Sequence, residues 1–219
     1  MSDPPLLLGH RGARASALVP ENTPASFDLA LEDGCDGFEF DVRLTGCGRS
    51  VVCHDPKVDG IVVSRATANQ LLHLPLIEDV LQRYSQRAFL DIELKTPGLE
   101  SKILNLLREY RIEEDYLVSS FLPEVVIELK TRSPKIQTGI IFDKPGQLVC
   151  WRETNVEYVI PHYSLVTRGL VQEVHSAGSK LFTWTVNDRE AMLLLADWGV
   201  DGIISDDTKL LVKTFTGSK

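Results

Sequence analysis

Short apolar runs alternate along the chain with stretches in which apolar residues recur every three or four positions, and the alternation continues almost from end to end. The runs predict eight strands, over residues 6–9, 37–43, 88–94, 116–119, 138–142, 158–161, 180–186 and 202–205. The periodic stretches predict helices over residues 23–32, 77–84, 99–110, 124–131, 167–177 and 189–198. Gly34, Gly178 and Gly199 each follow a helical stretch and precede a strand, where a helix ends most cheaply in a left-handed residue. Eight strands alternating with helices predict a parallel sheet, and at 219 residues the economical form is one closed (β/α)8 TIM barrel, a single α/β domain over residues 1–219. An open doubly wound sheet is the alternative, but Gly9-His10-Arg11-Gly12 lacks the glycine spacing of a dinucleotide loop. Residues 49–54 read as an extra strand after the turn Thr45-Gly46-Cys47-Gly48. Residues 56–75 show no period and read as a short excursion after the second barrel strand.

Composition narrows the function more than the fold. A net charge of -8 argues against a nucleic-acid or anionic-membrane partner, so any phosphate recognition has to be local. Neither a signal-peptide pattern nor about 18 consecutive apolar residues is visible, so the expectation is a cytoplasmic protein without stable membrane insertion. Cys35, Cys47, Cys53 and Cys150 show no C-x-x-C spacing, which favours free thiols over a disulfide or zinc framework.

In a barrel the active face is built from the C-terminal ends of the strands. Strand parity puts Glu39 and Asp41 on one side and Phe38, Phe40 and Val42 on the other; with the aromatic side under helices, the acids face the barrel axis. Two inward carboxylates raise each other's pKa unless a cation lies between them. Asp91, Glu93 and Lys95 share one side of their strand, and Glu93 would complete an all-oxygen site suited to Mg2+ or Ca2+ rather than zinc. Parity alone equally allows buried ion pairs, Glu93 with Lys95 or Asp41 with Arg43. His10 and His54 each crown an apolar run, and an imidazole there can give or take a proton. His73, His162 and His175 read as structural, with His162, at a strand end, the nearest to an exception.

The series His10-Arg11-Gly12, Glu21-Asn22-Thr23, Glu39-x-Asp41, His54-Asp55 and Glu93-x-Lys95 resembles the signature of the glycerophosphodiester phosphodiesterase family. The likeness continues through Ser120-Phe121, Trp184-Thr185-Val186-Asn187 and Gly202-Ile203-Ile204-Ser205-Asp206, spanning nearly the whole chain. The resemblance implies a phospholipase C-like phosphodiesterase barrel that hydrolyses glycerophosphodiesters to an alcohol and glycerol 3-phosphate. It implies a divalent metal, Mg2+ or Ca2+, on Glu39, Asp41 and Glu93, with His10 and His54 as the acid/base pair. Arg11 and Lys95 match phosphate-holding positions, Glu21 and Asn22 a hydroxyl-binding or supporting pair, and Trp184 an aromatic wall; Asn187 and Asp206 are further candidates. The turn Thr45-Gly46-Cys47-Gly48 departs from the usual Thr-x-Asp-Gly, and the segment after Asp55 lacks the Arg- and Thr-rich landmarks of a cap, which bears on head-group selection more than on chemistry.

The expected partner is a small-molecule glycerophosphodiester, with no nucleic acid, and self-association is left open. Two other readings keep the barrel. A lysophospholipase D-like or other lipid phosphodiesterase would call for an exposed apolar rim or basic patch, neither of which stands out in the sequence. A non-catalytic phosphodiester-binding barrel would tend to lose a histidine or a carboxylate, and this chain keeps the full set.

Overall fold

The computed structural model describes residues 4–147 and 150–217. In chain order the elements are β1 (Leu6–His10), α1 (Pro24–Glu32), β2 (Gly37–Leu44), β3 (Ser50–Val52), β4 (Lys57–Val58), β5 (Ile61–Val62) and α2 (Ile77–Tyr84). There follow β6 (Phe89–Leu94), α3 (Glu100–Glu109), β7 (Tyr116–Ser120), α4 (Pro123–Arg132), β8 (Thr138–Phe142), α5 (Cys150–Thr154) and β9 (Tyr158–Pro161). The chain ends with α6 (Arg168–Ser176), β10 (Lys180–Thr183), α7 (Arg189–Trp198), β11 (Gly202–Ser205) and α8 (Thr208–Thr216). Strands β1, β11, β10, β9, β8, β7, β6 and β2 are neighbours in that order, all parallel, and β2 pairs back onto β1. The sheet is therefore a closed eight-stranded barrel, and β3 adds antiparallel to β2 outside the ring.

Side-chain alternation sorts the apolar residues into an inner and an outer layer. Leu8, Leu117, Ile160, Phe182 and Ile204 fill the barrel interior. Phe38, Phe40 and Val42 point outward to pack with Phe27 of α1 and Tyr84 of α2. Phe27 stacks on Phe38 with centroids 4.2 Å apart, and Tyr84 closes edge-on at 5.1 Å. Fully burying each such ring is worth about 1.5–3 kcal/mol, so this outer packing dictates which face of β2 turns inward. Glu39 and Asp41 are left facing the axis, as parity predicts.

Gly34, Gly178 and Gly199 have φ of 103°, 83° and 88°, the left-handed turns expected at those helix ends. Two helices were not legible in the sequence. α5 is too short to display a period, and α8 is started by a cap, the Asp207 carboxylate accepting from Leu210 N at 2.9 Å. The strand predicted to reach residue 186 ends at Thr183. Beyond it the Trp184 indole N–H donates to Ile160 O at 3.1 Å and Trp184 O accepts from Tyr163 N at 2.8 Å, so this residue serves the neighbouring strand end. The excursion holds the β4–β5 hairpin and covers a small core of Val51, Cys53, Val63, Ala66 and Leu71. Cys35, Cys47 and Cys53 are free thiols, while the side chain of Cys150 lies outside the described residues. Among the described residues no helix is long and apolar enough to cross a membrane.

Candidate active site

Strand register brings the candidate residues to one level. His10 is paired with Glu39 across β1 and β2, and Asp41 with Glu93 across β2 and β6. They open onto a cavity of about 210 Å³ whose polar side includes His10, Arg11, Glu39, His54, Glu93 and Lys95. Its other side is apolar, formed by Phe121, Ile141, Ile160, Trp184 and Ile204. The loop after β1 carries Arg11 and Asn22 with φ of 53° and 57°, a left-handed conformation rare outside glycine. Gly12 between them has φ of 78°, and a Cβ there would lie 2.5 Å from Ser26 Oγ, so this turn packs hard against α1.

Three carboxylates converge from two strands. One oxygen each of Glu39, Asp41 and Glu93 lies within 4.8 Å of the others, and all three residues are buried. Glu39 Oε1 lacks a hydrogen-bond partner, a costly state for a buried oxygen, and Asp41 Oδ1 and Glu93 Oε1 have only the Lys95 ammonium beside them. Lys95 Nζ lies 2.6 Å from Glu93 Oε1 and 3.3 Å from Asp41 Oδ1, so one ammonium pairs with both acids. Burial, and then the Asp41 charge, push the Glu93 carboxyl up to about 8. Burial, Asp41 and Glu93 likewise hold Glu39 well above the usual carboxylate range. Asp41 departs from the mutual elevation expected of paired acids: burial opposes its ionisation, but Lys95, Arg11 and an Asn22 hydrogen bond at 2.8 Å outweigh it and hold its pKa low. Lys95 and Arg11 thus suffice for Asp41 alone, and ionising Glu39 and Glu93 as well calls for further positive charge. An all-oxygen donor set fits a hard divalent cation.

The ion-pair alternative is therefore partly realised. Glu93 and Lys95 do pair, but Asp41 meets Lys95 and Arg11 (Nε at 3.2 Å) rather than Arg43, whose Nε donates to His54 O at 2.7 Å. Asp91 sits one pleat below Glu93, accepts from Ser119 Oγ at 2.5 Å, and is raised by burial to about 7.

The two histidines differ in setting. His10 Nδ1 lies 2.7 Å from Asp206 Oδ1, and Nε2 points towards Glu39 at 3.8 Å. Burial lowers the His10 pKa against the opposing pull of Asp206. The Asp206 pKa is in turn depressed by hydrogen bonds from His10, Asn187 and Arg14, which outweigh its burial. His54 is more open, its side chain 34% exposed and its Nδ1 2.9 Å from Asp55. Arg11 Nη1 donates to Glu21 at 2.8 Å, and Asn22 Oδ1 accepts from Asp41 N at 3.2 Å. Glu21 and Asn22 thus brace Arg11 and Asp41 from outside the cavity wall. Asp206 and its clamp Asn187, known from sequence only by family likeness, belong to this constellation. No local signal ties Asp206 to His10, because 196 residues separate them.

Comparisons with known proteins bear on the family and on the fold. The sequence model described as the glycerophosphoryl diester phosphodiesterase family matches residues 10–91 and 64–210. A glycerophosphodiester phosphodiesterase of Caldanaerobacter subterraneus is 32% identical, with 94% of this chain and 96% of the relative aligned. Among solved structures, a glycerophosphodiester phosphodiesterase of Parabacteroides distasonis superposes with a TM-score of 0.85 at 23% identity, covering 99% of this chain and 97% of its own. An Oleispira antarctica phosphodiesterase, solved in complex with the product sn-glycerol-3-phosphate, gives 0.85 at 24% identity over 98% of both chains. With the signature residues gathered at one end of a closed barrel, the chain belongs to the glycerophosphoryl diester phosphodiesterase family and is an enzyme of that family.

Proposed function

We propose that the enzyme hydrolyses glycerophosphodiesters to an alcohol and glycerol 3-phosphate in a metal-dependent reaction with histidine acid/base catalysis. The observation that carries this reading is the convergence of three buried carboxylates, Glu39, Asp41 and Glu93, with one oxygen of each within 4.8 Å of the others, beside a cavity lined by His10 and His54. These three residues would hold Mg2+ or Ca2+. When bound, the cation supplies positive charge that stabilises the phosphodiester as charge builds on its oxygens.

Arg11 and Lys95 bring the protein's own cations to the same cavity and hold the phosphate oxygens. Lys95 stays protonated, since Glu93 and Asp41 raise its pKa beyond what burial takes away. His10, kept neutral by burial and with Nδ1 committed to the ionised Asp206, offers Nε2 as the proton acceptor for the attacking hydroxyl. His54, on the open side of the cavity, gives a proton to the departing alkoxide. Trp184 and Phe121 wall the other side and reduce access of bulk water.

The deciding experiment is turnover of glycerophosphocholine and of bis(p-nitrophenyl) phosphate after exhaustive chelation. Activity should vanish and return with added Mg2+ or Ca2+; full activity in excess chelator would sink the metal reading. Hydrolysis of neither substrate under any metal would leave the binding-barrel alternative.

A further inference from the structure

We propose that the rings of Phe121, Trp184, His162 and Tyr163 form the subsite for the departing alcohol, and that this subsite selects a quaternary-ammonium head group of the choline class. The proposal rests on the phosphodiesterase reading and names its substrate. Phe121 and Trp184 line the cavity and meet at right angles, centroids 5.3 Å apart. Trp184 meets His162 in the same way at 5.5 Å, and His162 meets Tyr163 at 4.7 Å. At the inner end Lys95 Nζ lies 5.4 Å from the centre of the Phe121 ring, marking where the phosphate is held. At the outer end Tyr163 is 39% exposed. Phe121 and Trp184 thus wall the cavity itself, and His162 and Tyr163 continue the row of rings beyond its lining to the exposed surface, the course proposed for the leaving alcohol.

The row of rings is fixed by backbone bonds. Tyr163 N donates to Trp184 O, and His162 N to Phe142 O, each at 2.8 Å. His162 and Trp184 form a parallel bridge beyond the ends of β9 and β10. This assigns a role to the histidine that the sequence left as structural.

Its chemistry favours a cation without N–H or O–H groups. The Trp184 indole N–H is already given to Ile160 O, and His162 Nδ1 accepts from Ser164 N and lies 2.8 Å from Ser164 Oγ. A polyol head group against this wall would give up water hydrogen bonds with few partners to replace them. A trimethylammonium group has no such bonds to lose and is attracted to ring faces, an effect on the order of tenfold in affinity at a partly desolvated site.

The test compares glycerophosphocholine with glycerophosphoglycerol on the wild-type protein, Tyr163→Phe and Tyr163→Leu. Initial rates are measured with Mg2+, and calorimetric titrations after chelation, when turnover is stopped. The wild-type protein should favour glycerophosphocholine about tenfold, mainly through KM and affinity. Tyr163→Phe should keep that ratio, whereas Tyr163→Leu, which keeps apolar bulk but removes the ring face, should bring it to within about twofold. Equal use of the two diesters by the wild-type protein, or a ratio unchanged in Tyr163→Leu, overturns the proposal. A preference for lysophosphatidylcholine that survives Tyr163→Leu would give the wall to an acyl chain and overturn it as well. If no diester is hydrolysed, the phosphodiesterase reading falls, and the titrations still decide the subsite.

Discussion

His10 Nδ1 lies 2.7 Å from Asp206 Oδ1, a bond that ties the end of the first barrel strand to the residue just after the last. Barrel closure makes this contact: β1 and β11 are neighbours in register, Gly9 beside Ser205. The ionised Asp206 fixes the proton of the imidazole on Nδ1 and turns Nε2 towards the carboxylates. Asp206→Asn is therefore expected to lower kcat about 10- to 100-fold, the usual effect of removing a group that orients a functional histidine. It should also move the acidic limb of the rate profile to lower pH. Asp206 raises the His10 pKa, so its loss lets burial pull that value down further. A pH profile of kcat/KM for the variant and the wild-type protein checks both effects; an acidic limb shifted upward would contradict the assignment.

The three acids should respond differently to neutralisation. Asp41 is the ionised member and the shared partner of Lys95 and Arg11, so Asp41→Asn breaks two largely buried ion pairs and leaves Lys95 to Glu93 and Arg11 to Glu21. Breaking a buried pair in this way typically costs about 3–5 kcal/mol. Glu39→Gln instead removes a carboxyl held well above its ordinary pKa by burial and by Asp41, and should leave the metal-free fold as stable as before or more so. Both substitutions should abolish metal-dependent turnover. Denaturant unfolding of the chelated proteins distinguishes them, and equal destabilisation by the two would contradict the charge arrangement described here.

Much of this site was legible because each β-strand displays two faces. The alternation of Phe38 and Phe40 with Glu39 and Asp41 is enough to send the rings outward under the helices and the acids inward to the axis. The low pKa of Asp41 was not legible. It depends on Arg11 and Asn22 from the loop after β1 and Lys95 from the end of β6, and strand parity within β2 carries no information about them. Helix α8 escaped for a related reason: it is anchored by its Asp207 cap and by Thr208 Oγ1 donating to Asp33 at 2.6 Å, a residue 175 positions away.

Metal-free stability should fall as pH rises through the neutral range. Glu93 ionises near 4.3 in an unfolded chain but at about 8 in the fold, so between those values the unfolded state sheds its proton first and gains the advantage. Asp91, raised to about 7, acts in the same direction over a narrower window. Saturating Mg2+ or Ca2+ should offset the loss. The rise in Tm on adding metal is expected to be larger at about pH 8 than at about pH 5, where protons compete for the same oxygens. Thermal melts with and without chelator measure this, and a larger rise at the acidic end would contradict it.

The division of labour between His10 and His54 can be separated by the leaving group. General acid or base catalysis is typically worth about 10²- to 10⁴-fold, so His10→Ala and His54→Ala should each lower kcat on glycerophosphocholine by that order. On bis(p-nitrophenyl) phosphate the departing p-nitrophenolate needs little protonation. With His54 in its proposed role of donor to the leaving alkoxide on the open side of the cavity, His54→Ala should then recover most of the wild-type rate. His10→Ala should recover little, because activation of the attacking hydroxyl is still required and is the role proposed for Nε2 of His10, aimed by Asp206. In the double variant on glycerophosphocholine the losses should fall short of the product of the single losses, as for groups that act as one unit. The reverse pattern, recovery by His10→Ala alone, would exchange the two roles. Wild-type rates for both variants on both substrates would remove the histidines from the chemistry altogether.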